Sequence, residues 1–227
     1  MKTELVVFDI AGTTVADKGN INEAFREAFL ASGVYVSAEE VDTVMGYRKI
    51  EAIEIMVKKN APHLLVKGNE VVHIIHHLFN STMVSFYQKN KQLQPLPYAE
   101  EIFDLLYEMG IKTALNTGFT RDITDAILKN LGWNNNPLIN AVICSDEVPE
   151  GRPSAHMIRA IMSRLGINES ANVVKVGDTE VDITEGRNAG CGLVVAVTTG
   201  VYTKEQLQKY QPDFIIDSLQ QLPALLP

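Results

Sequence analysis

Short apolar runs recur along the chain, and each is followed by a segment whose apolar residues have helical spacing. Runs of four or five such residues are typical of buried parallel strands in a sheet with helices on both faces. The runs are Leu5–Phe8, 111–115, Ala141–Cys144, 173–176 and Leu193–Val197, and a sixth, 212–217, has the pattern of an edge strand. The pattern predicts an α/β fold built on a parallel sheet.

This alternation is interrupted once, after the first strand. Between Thr14 and about Pro95 no strand pattern is convincing, and three or four helical segments follow one another. A helical stretch of this length inside a sheet domain indicates an insertion. We predict a core domain made of residues 1–15 and 95–227, and a helical cap domain made of residues 16–94.

Two helices of the predicted cap have marked apolar faces. The first has Asn20 as its predicted N-cap and ends at Gly33. Its apolar face, over residues 21–29, is also a candidate surface for a homodimer through the cap. The second helix, over residues 69–89, has five residues spaced for burial. They are Val72, Ile75, Phe79, Met83 and Phe86.

Composition narrows the functional classes. The chain has 227 residues, 46% hydrophobic and 21% charged, as in an ordinary soluble globular protein. A formal charge of -8 without a basic run argues against nucleic-acid binding. The sequence has neither a membrane-spanning stretch nor a signal-peptide pattern, so we expect a cytoplasmic protein that does not bind membranes. Cys144 and Cys191 form no metal or redox motif and are expected in the core.

Two carboxylates stand at the ends of predicted strands. Asp9 follows the first strand, and Asp178 follows the strand over 173–176. Ligands of open parallel sheets bind beyond the carboxyl ends of the strands, so the two side chains converge if their strands are neighbours. Such a pair suits Mg²⁺, and Asp182 could add a third oxygen directly or through water. The alternative for each aspartate alone is a helix cap or a turn former.

Two further strand ends carry groups that bind phosphate oxygens. Thr117 and Gly118 end the strand that starts at Ile111, and a hydroxyl beside backbone N–H groups can hold phosphate. Arg152 lies shortly after Ala141–Cys144, and a guanidinium can bind phosphate through two N–H groups. Taken alone, Thr117 could instead be a helix N-cap, and Arg152 a surface ion-pair residue.

In this order, the strand-end residues resemble the haloacid dehalogenase superfamily, whose members mostly hydrolyse phosphorylated metabolites through an aspartyl-phosphate. The segment Asp9-Ile10-Ala11-Gly12-Thr13-Thr14 is similar to the phosphonatase branch, the phosphonoacetaldehyde hydrolases. That branch has alanine, here Ala11, in place of the second aspartate that serves most relatives as general acid and base. It also has arginine, here Arg152, where most relatives use lysine. The resemblance implies a Rossmann-like parallel sheet core with an inserted α-helical cap.

The resemblance also implies roles for particular residues. Asp9 would be the nucleophile that attacks phosphorus, and Mg²⁺ would be held by Asp9, the Ala11 carbonyl and Asp178. The groups that would hold the phosphoryl oxygens are Thr117, Gly118 and Arg152. In the cap, Lys49 would form a Schiff base with the substrate aldehyde, and Met45 would contact the substrate.

The sequence departs from the phosphonatase pattern in its cap, so the resemblance does not identify the substrate. A histidine usually follows the lysine by three residues, whereas this chain has Ala52, and the cap is shorter. The expected partner is a small phosphonate or phosphorylated metabolite. If Lys49 forms a Schiff base, the C–P bond of phosphonoacetaldehyde or a related phosphonate is cleaved. The alternative for Lys49 is a solvated helix lysine, and the alternative function is a phosphomonoesterase on a small phosphorylated metabolite, without Schiff-base chemistry. A binding protein without turnover is disfavoured, because the core residues of the motif are all present.

Overall fold

A computed structural model describes residues 2–66 and 68–227 of the chain. Within these ranges, six strands form one parallel sheet in the order β3-β2-β1-β4-β5-β6. The strands are β1 (Leu5–Phe8), β2 (Lys112–Thr117), β3 (Ala141–Cys144), β4 (Val173–Gly177), β5 (Leu193–Val197) and β6 (Phe214–Ile216). The α/β class predicted from the apolar runs is confirmed, and the strand bounds differ from the predicted ones by no more than two residues.

Among the described residues, five α-helices lie between β1 and β2, and four more follow later strands. The first four are α1 (Asn20–Ala31), α2 (Ala38–Asp42), α3 (Lys49–Asn60) and α4 (Glu70–Lys89). The later ones are α5 (Ala99–Glu108), α6 (Arg121–Leu131), α7 (His156–Leu165), α8 (Glu180–Ala189) and α9 (Lys204–Gln208). The inserted helical cap is thus confirmed as part of the fold, whereas the division at residues 15/16 and 94/95 stays a prediction.

The two faces of the sheet have separate apolar layers, because alternate side chains of a strand point to opposite sides. Leu5 and Val7 belong to the layer that includes α7 and α8. Val6 and Phe8 belong to the other layer, which includes α5 and α6 and continues into the cap. The Phe8 and Phe103 rings lie 5.6 Å apart in an edge-to-face contact. This shared layer holds the cap helices against the carboxyl ends of the strands.

The start of α1 differs from the prediction. Asn20 is the first helical residue, and Gly19, with φ of +88°, occupies the N-cap position. Oδ1 of Asp17 accepts hydrogen bonds from the backbone N–H groups of Asn20 and Ile21, at 3.1 and 3.5 Å. It thereby satisfies N–H groups that have no partner inside the helix. The predicted N-cap at Asn20 is therefore wrong, and a carboxylate three positions earlier does that work.

The buried side of α4 differs at one position. Its buried residues are Val72, Ile75, Phe79, Met83 and Tyr87. Phe86 is only half-buried, so its predicted burial is wrong. Phe79, Met83 and Tyr87 follow one another at intervals of four, which keeps all three on the stripe that faces the chain's own core.

The apolar face of α1 is covered within the chain. Phe25 and Phe29 are buried, and the Phe25 ring packs 4.4 Å from the ring of Phe79 in α4. A homodimer through the cap stays a prediction, and this face is already occupied. Cys144 and Cys191 are both free and buried, as predicted for core residues. Across the described ranges, no helix combines the length and apolarity needed to cross a membrane.

Candidate active site

The carboxyl ends of the central strands open into a cavity of about 380 Å³. Because β1 and β4 are neighbours, Asp9 and Asp178 lie side by side at these ends. Seven of the nine residues predicted for the site line the cavity. These are Asp9, Ala11, Met45, Lys49, Thr117, Gly118 and Asp178. The remaining two, Arg152 and Asp182, are buried around the Asp9 carboxylate.

The turn after β1 is held by its own backbone. The N–H groups of residues 13–15 donate to the Ile10 carbonyl at 2.8–3.4 Å, and that of Gly12 donates to the Val15 carbonyl at 2.9 Å. Gly12 has φ of +89°, and a Cβ there would lie 2.6 Å from Oδ2 of Asp178, so the position requires glycine. These turn bonds do not use the Ala11 carbonyl, which leaves that oxygen available for the predicted metal.

Arg152 lies against Asp9 from inside the protein, with 1% of its surface exposed. Its Nη1 donates to Oδ1 of Asp9 at 2.6 Å. Its Nη2 donates to the carbonyl and Oδ1 of Asn116, both at 2.7 Å, and its Nε donates to Glu185 at 3.0 Å. Charge-assisted bonds of this kind fix the orientation of both partners. Arg152 is therefore not the surface ion-pair residue of the alternative interpretation; its contact with phosphoryl oxygens stays a prediction.

Both oxygens of Asp182 face protein groups. Oδ2 accepts hydrogen bonds from the N–H and hydroxyl of Thr179 at the start of α8, at 3.2 and 2.6 Å. Oδ1 lies 3.0 Å from Nη1 of Arg152 and 3.0 Å from Nζ of Lys175. Burial alone would raise the pKa of Asp182, but the two cations lower it. Asp182 is thus kept ionised by the protein, and its role as a metal ligand stays a prediction.

Asp178 lacks such cationic partners. Among the described residues, the buried ion pairs here join Arg152 and Lys175 to Asp9, Asp182 and Glu185. Asp178 instead accepts a hydrogen bond from the Thr13 hydroxyl at 3.0 Å. Burial raises the pKa of Asp178 well above its ordinary value, and the charges of Asp9 and Asp182 raise it further. A cation in the cavity would relieve this repulsion.

The buried charges around Asp9 fit a divalent cation. Four buried carboxylates face two buried cations that pair with them, and Lys49 in the same cavity is a third, so one negative charge is left in excess. The groups are Asp9, Asp178, Asp182 and Glu185 against Arg152 and Lys175. Oxygens of the first three carboxylates lie within 4.8 Å of one another. A set of oxygen donors alone suits a hard ion such as Mg²⁺ that keeps some of its waters.

Thr117 presents a hydroxyl to the cavity. Its Oγ1 accepts a hydrogen bond from the Phe119 N–H at 3.2 Å, so the hydroxyl proton is left to donate. The N-cap of α6 is Thr120. Thr117 is therefore not the helix cap of the alternative interpretation, and its geometry is compatible with binding a phosphoryl oxygen.

The cap reaches the site through Gly118. The Gly118 carbonyl accepts a hydrogen bond from the Lys49 N–H at 3.3 Å. A Cβ on Gly118 would lie 2.4 Å from the Tyr47 carbonyl oxygen, so only glycine allows the loop before α3 to come this close. This contact places the first residue of α3, Lys49, beside the core residues of the site.

Lys49 is a buried amine. Only 4% of its surface is exposed, and its Nζ lies 5.3 Å from the centre of the Phe119 ring and 5.7 Å from that of Phe25. Within residues 2–66 and 68–227, it forms no ion pair with a carboxylate. Burial lowers its pKa to about 8, although the charge of Asp9 raises it. Lys49 is therefore not a solvated helix lysine. With this pKa, the side-chain amine is neutral in about a tenth of the molecules at pH 7.

Several polar residues of the site were not predicted from the sequence, and Asn22, Arg26 and Asp42 of the cavity wall are among them. Asp17 lines the cavity, and its carboxylate holds the start of α1. Asn116, Lys175 and Glu185 are fully buried around Arg152, with Lys175 Nζ donating to Oδ1 of Asn116 at 2.7 Å. A lysine inside an apolar strand was the available signal for this network, because a buried cation needs buried anions. No pattern in the sequence marked Asp17.

Comparisons with known proteins agree with this geometry. A family model described as haloacid dehalogenase-like hydrolase matches residues 3–190. A phosphonoacetaldehyde hydrolase from Bacillus thuringiensis subsp. konkukian is 30% identical over 93% of this chain and 83% of its own length. Among solved structures, a phosphonoacetaldehyde hydrolase-like protein from Oleispira antarctica has a TM-score of 0.84 and 24% identity, covering 99% of this chain and 91% of its own. A structure described as a predicted phosphoglycolate phosphatase from Haemophilus somnus has a TM-score of 0.78 and 18% identity, covering 99% and 98%.

Proposed function

The chain belongs to the haloacid dehalogenase-like hydrolases, in their phosphonatase-like branch, and on that basis we propose that it cleaves the C–P bond of an aldehyde-bearing phosphonate. Phosphonoacetaldehyde is a simple substrate of this kind, and the similar curated proteins are named as its hydrolases. The observation that carries the proposal is the position of Lys49, a buried amine with a lowered pKa in the same cavity as Asp9. A neutral amine beside a carboxylate nucleophile is what a Schiff-base route to C–P cleavage requires.

In this proposal Lys49 acts first. Its neutral Nζ attacks the aldehyde carbon, water leaves, and a protonated Schiff base forms. The positive nitrogen then draws electrons from the C–P bond. Burial between Phe25 and Phe119 favours the neutral amine before attack, because it disfavours the ammonium form. This route also accounts for Ala11, because an electron-withdrawing iminium makes a general acid for the leaving group unnecessary.

Asp9 acts second. Its carboxylate attacks phosphorus, the C–P bond breaks, and its electrons pass to the carbon and nitrogen of the Schiff base. Water then hydrolyses the aspartyl-phosphate to release phosphate. The enamine left on Lys49 takes a proton on carbon, and a second water hydrolyses the resulting iminium to release the aldehyde product and the free amine. Arg152, bound to Oδ1 of Asp9 at 2.6 Å, orients the attacking carboxylate. Thr117 and Gly118 would donate hydrogen bonds to the phosphoryl oxygens as negative charge builds on them.

We propose Mg²⁺ as the cofactor, held by Asp9, Asp178 and the Ala11 carbonyl. The fit rests on the excess of buried negative charge, on the cluster of three carboxylates within 4.8 Å, and on Asp178, which has no ion-pair partner among the described residues. When bound, Mg²⁺ would neutralise the phosphoryl group and hold it against the nucleophile.

A second candidate function is phosphomonoester hydrolysis without Schiff-base chemistry. Two observations favour it: Ala52 replaces the histidine of the branch, and the fold is shared with a structure described as a phosphatase. Lacking a general acid at position 11, such an enzyme would be slow by about 10²–10⁴-fold unless the cap supplied one.

Borohydride trapping separates the two functions. The wild-type protein is incubated with phosphonoacetaldehyde and Mg²⁺, reduced, and analysed by mass spectrometry for an adduct on Lys49, while phosphate release is followed in parallel. Lys49→Arg keeps the charge but cannot form the adduct, and Lys58→Arg, on the exposed side of α3, is the matched control. Adduct and phosphate release lost only in Lys49→Arg support C–P cleavage. Phosphate esters hydrolysed equally by all three proteins, with no adduct, support the second function.

A further inference from the structure

We propose that Asp17 carries the protons for Schiff-base formation at Lys49, in place of the histidine that this chain lacks at position 52. The inference rests on the proposed function of Lys49. Position 52, where the branch usually has a histidine, holds a fully buried alanine. Ala52 cannot exchange a proton with the substrate, so another group of the cavity has to carry the protons of Schiff-base formation.

The Asp17 carboxylate is held by one oxygen and available through the other. Oδ1 accepts the N–H groups of Asn20 and Ile21 at the start of α1. Oδ2 makes no hydrogen bond or ion pair with the described part of the chain. The residue lines the same cavity as Lys49 and Asp9. A carboxylate anchored in this way is fixed in position while one oxygen remains free to take or give a proton.

Two of the other cavity carboxylates already have a proposed role, Asp9 as nucleophile and Asp178 as metal ligand, and Asp42 is held through one oxygen as Asp17 is. Asp9 is bound by Arg152, and Asp178 accepts the Thr13 hydroxyl. Oδ1 of Asp42 accepts the side-chain amide of Asn22 at 2.7 Å. Burial raises the pKa of Asp17 above its ordinary value, although the helix N–H groups lower it. A raised pKa suits a carboxylate that must both accept and donate protons near neutral pH.

The proton transfers balance as follows. Neutral Nζ of Lys49 adds to the aldehyde carbon, and the carbonyl π electrons move onto oxygen. Asp17 takes a proton from the positively charged nitrogen and delivers it to that oxygen, which gives a neutral carbinolamine. Asp17 then takes one proton from solvent and donates it to the hydroxyl group. Water leaves, the nitrogen lone pair forms the C=N bond, and the product is the protonated Schiff base beside an ionised Asp17.

The test measures how fast the Lys49 adduct forms. Timed borohydride quenching with phosphonoacetaldehyde gives the rate in the wild-type protein, in Asp17→Asn and in Asp146→Asn. Asp17→Asn keeps an acceptor oxygen for α1 but cannot carry the proton. Asp146 is the matched control, since its carboxylate accepts the Arg121 N–H at 3.0 Å at the start of α6, away from the cavity. We expect the rate to fall about 100-fold or more in Asp17→Asn and to stay unchanged in Asp146→Asn.

A second variant keeps the test decisive if Asp17→Asn fails to fold. It also distinguishes a role of Asp17 as proton carrier from a role as helix cap. Asp17→Ser retains a capping hydroxyl, and sodium formate is added as an external carboxylate. We expect formate to restore the adduct rate in Asp17→Ser at least tenfold, without effect on the wild type. An unchanged rate in Asp17→Asn, or no rescue by formate in a folded Asp17→Ser, would overturn the role of Asp17 while the Lys49 chemistry stands. Absence of any adduct in the wild type would overturn the proposed function and this inference with it.

Discussion

Nη1 of Arg152 donates a hydrogen bond to Oδ1 of Asp9 across 2.6 Å, and neither side chain is more than 7% exposed. The two residues are 143 positions apart in the chain. The contact fixes the carboxylate that we propose as the nucleophile, and it ties that carboxylate to Glu185 and Asn116 through the same guanidinium. The reactivity and the stability of the core are therefore coupled at Arg152.

Removing this guanidinium should destabilise the fold strongly. Arg152→Met leaves the Asp9 and Glu185 carboxylates buried beside one cation fewer, and losing one partner of a buried pair costs about 3–5 kcal/mol. Urea unfolding at pH 7 measures the change. Arg187→Met, which breaks a half-exposed pair with Asp213, should cost no more than about 1 kcal/mol. Equal losses in the two variants would contradict the importance of burial.

Mg²⁺ should stabilise the wild-type protein, and this gain should depend on Asp178. A ligand at 100 times its Kd adds about 2.7 kcal/mol to the free energy of unfolding. Thermal melts in EDTA and in MgCl₂ measure the gain. In Asp178→Asn we expect a higher melting temperature than wild type in EDTA, because one of three close carboxylates is neutral, and little further gain from Mg²⁺. Asp104→Asn, at an exposed position, is the control and should behave as the wild type. If Mg²⁺ raises the melting temperature of Asp178→Asn as much as that of the wild type, the ion binds elsewhere.

Replacing Lys49 by methionine should raise stability while abolishing Schiff-base chemistry. A pKa lowered from 10.5 to about 8 corresponds to a burial cost of about 3 kcal/mol at neutral pH. Between pH 8 and 10.5 the unfolded chain binds more protons than the folded one, so wild-type stability rises with pH in that window. The advantage of Lys49→Met in urea unfolding should therefore be largest below pH 8 and shrink towards pH 10. Lys58→Met, which breaks only a surface pair, should change stability by less than about 0.5 kcal/mol.

The rate of adduct formation should follow the ionisation of Lys49. Only the neutral amine attacks an aldehyde, so the rate in the wild-type protein should increase about tenfold per pH unit below pH 8 and level off above it. Timed borohydride quenching from pH 6 to 9.5 measures how the rate of adduct formation depends on pH. A rate that still rises steeply at pH 9.5 would mean that Lys49 titrates as an ordinary exposed lysine.

The close approach of cap and core should not tolerate a side chain at position 118. In Gly118→Ala the new Cβ would meet the Tyr47 carbonyl, so the loop must move and Lys49 with it. We expect a loss of about 1–3 kcal/mol in stability and at least a tenfold drop in phosphate release. Gly110→Ala is the control, because its φ of +71° is strained but its Cβ would meet nothing within 4 Å. That variant should lose stability and keep its turnover.

The local pattern of apolar and polar residues was sufficient to predict the strands and helices of this fold. Strand and helix bounds follow from apolar periodicity and from glycine stops, because these depend on neighbours within a few residues. Local pattern does not predict features that depend on a residue outside the segment. Asn20 has the side chain of an N-cap, yet the carboxylate of Asp17 satisfies the helix N–H groups instead. On α4, the packing of the cap against the core buries Tyr87 in preference to Phe86.

The sequence by itself determined the strand-end residues Asp9, Thr117 and Asp178, because a parallel sheet brings the ends of its strands to one edge wherever they lie in the chain. The tertiary structure decided the environment of each. It buried Lys49 against Phe119, gave Asp178 no ion pair with the described residues, and put Asp17 in the cavity. Burial and charge depend on what surrounds a group in three dimensions, so the pKa values on which the proposed chemistry rests could not be obtained from residue order.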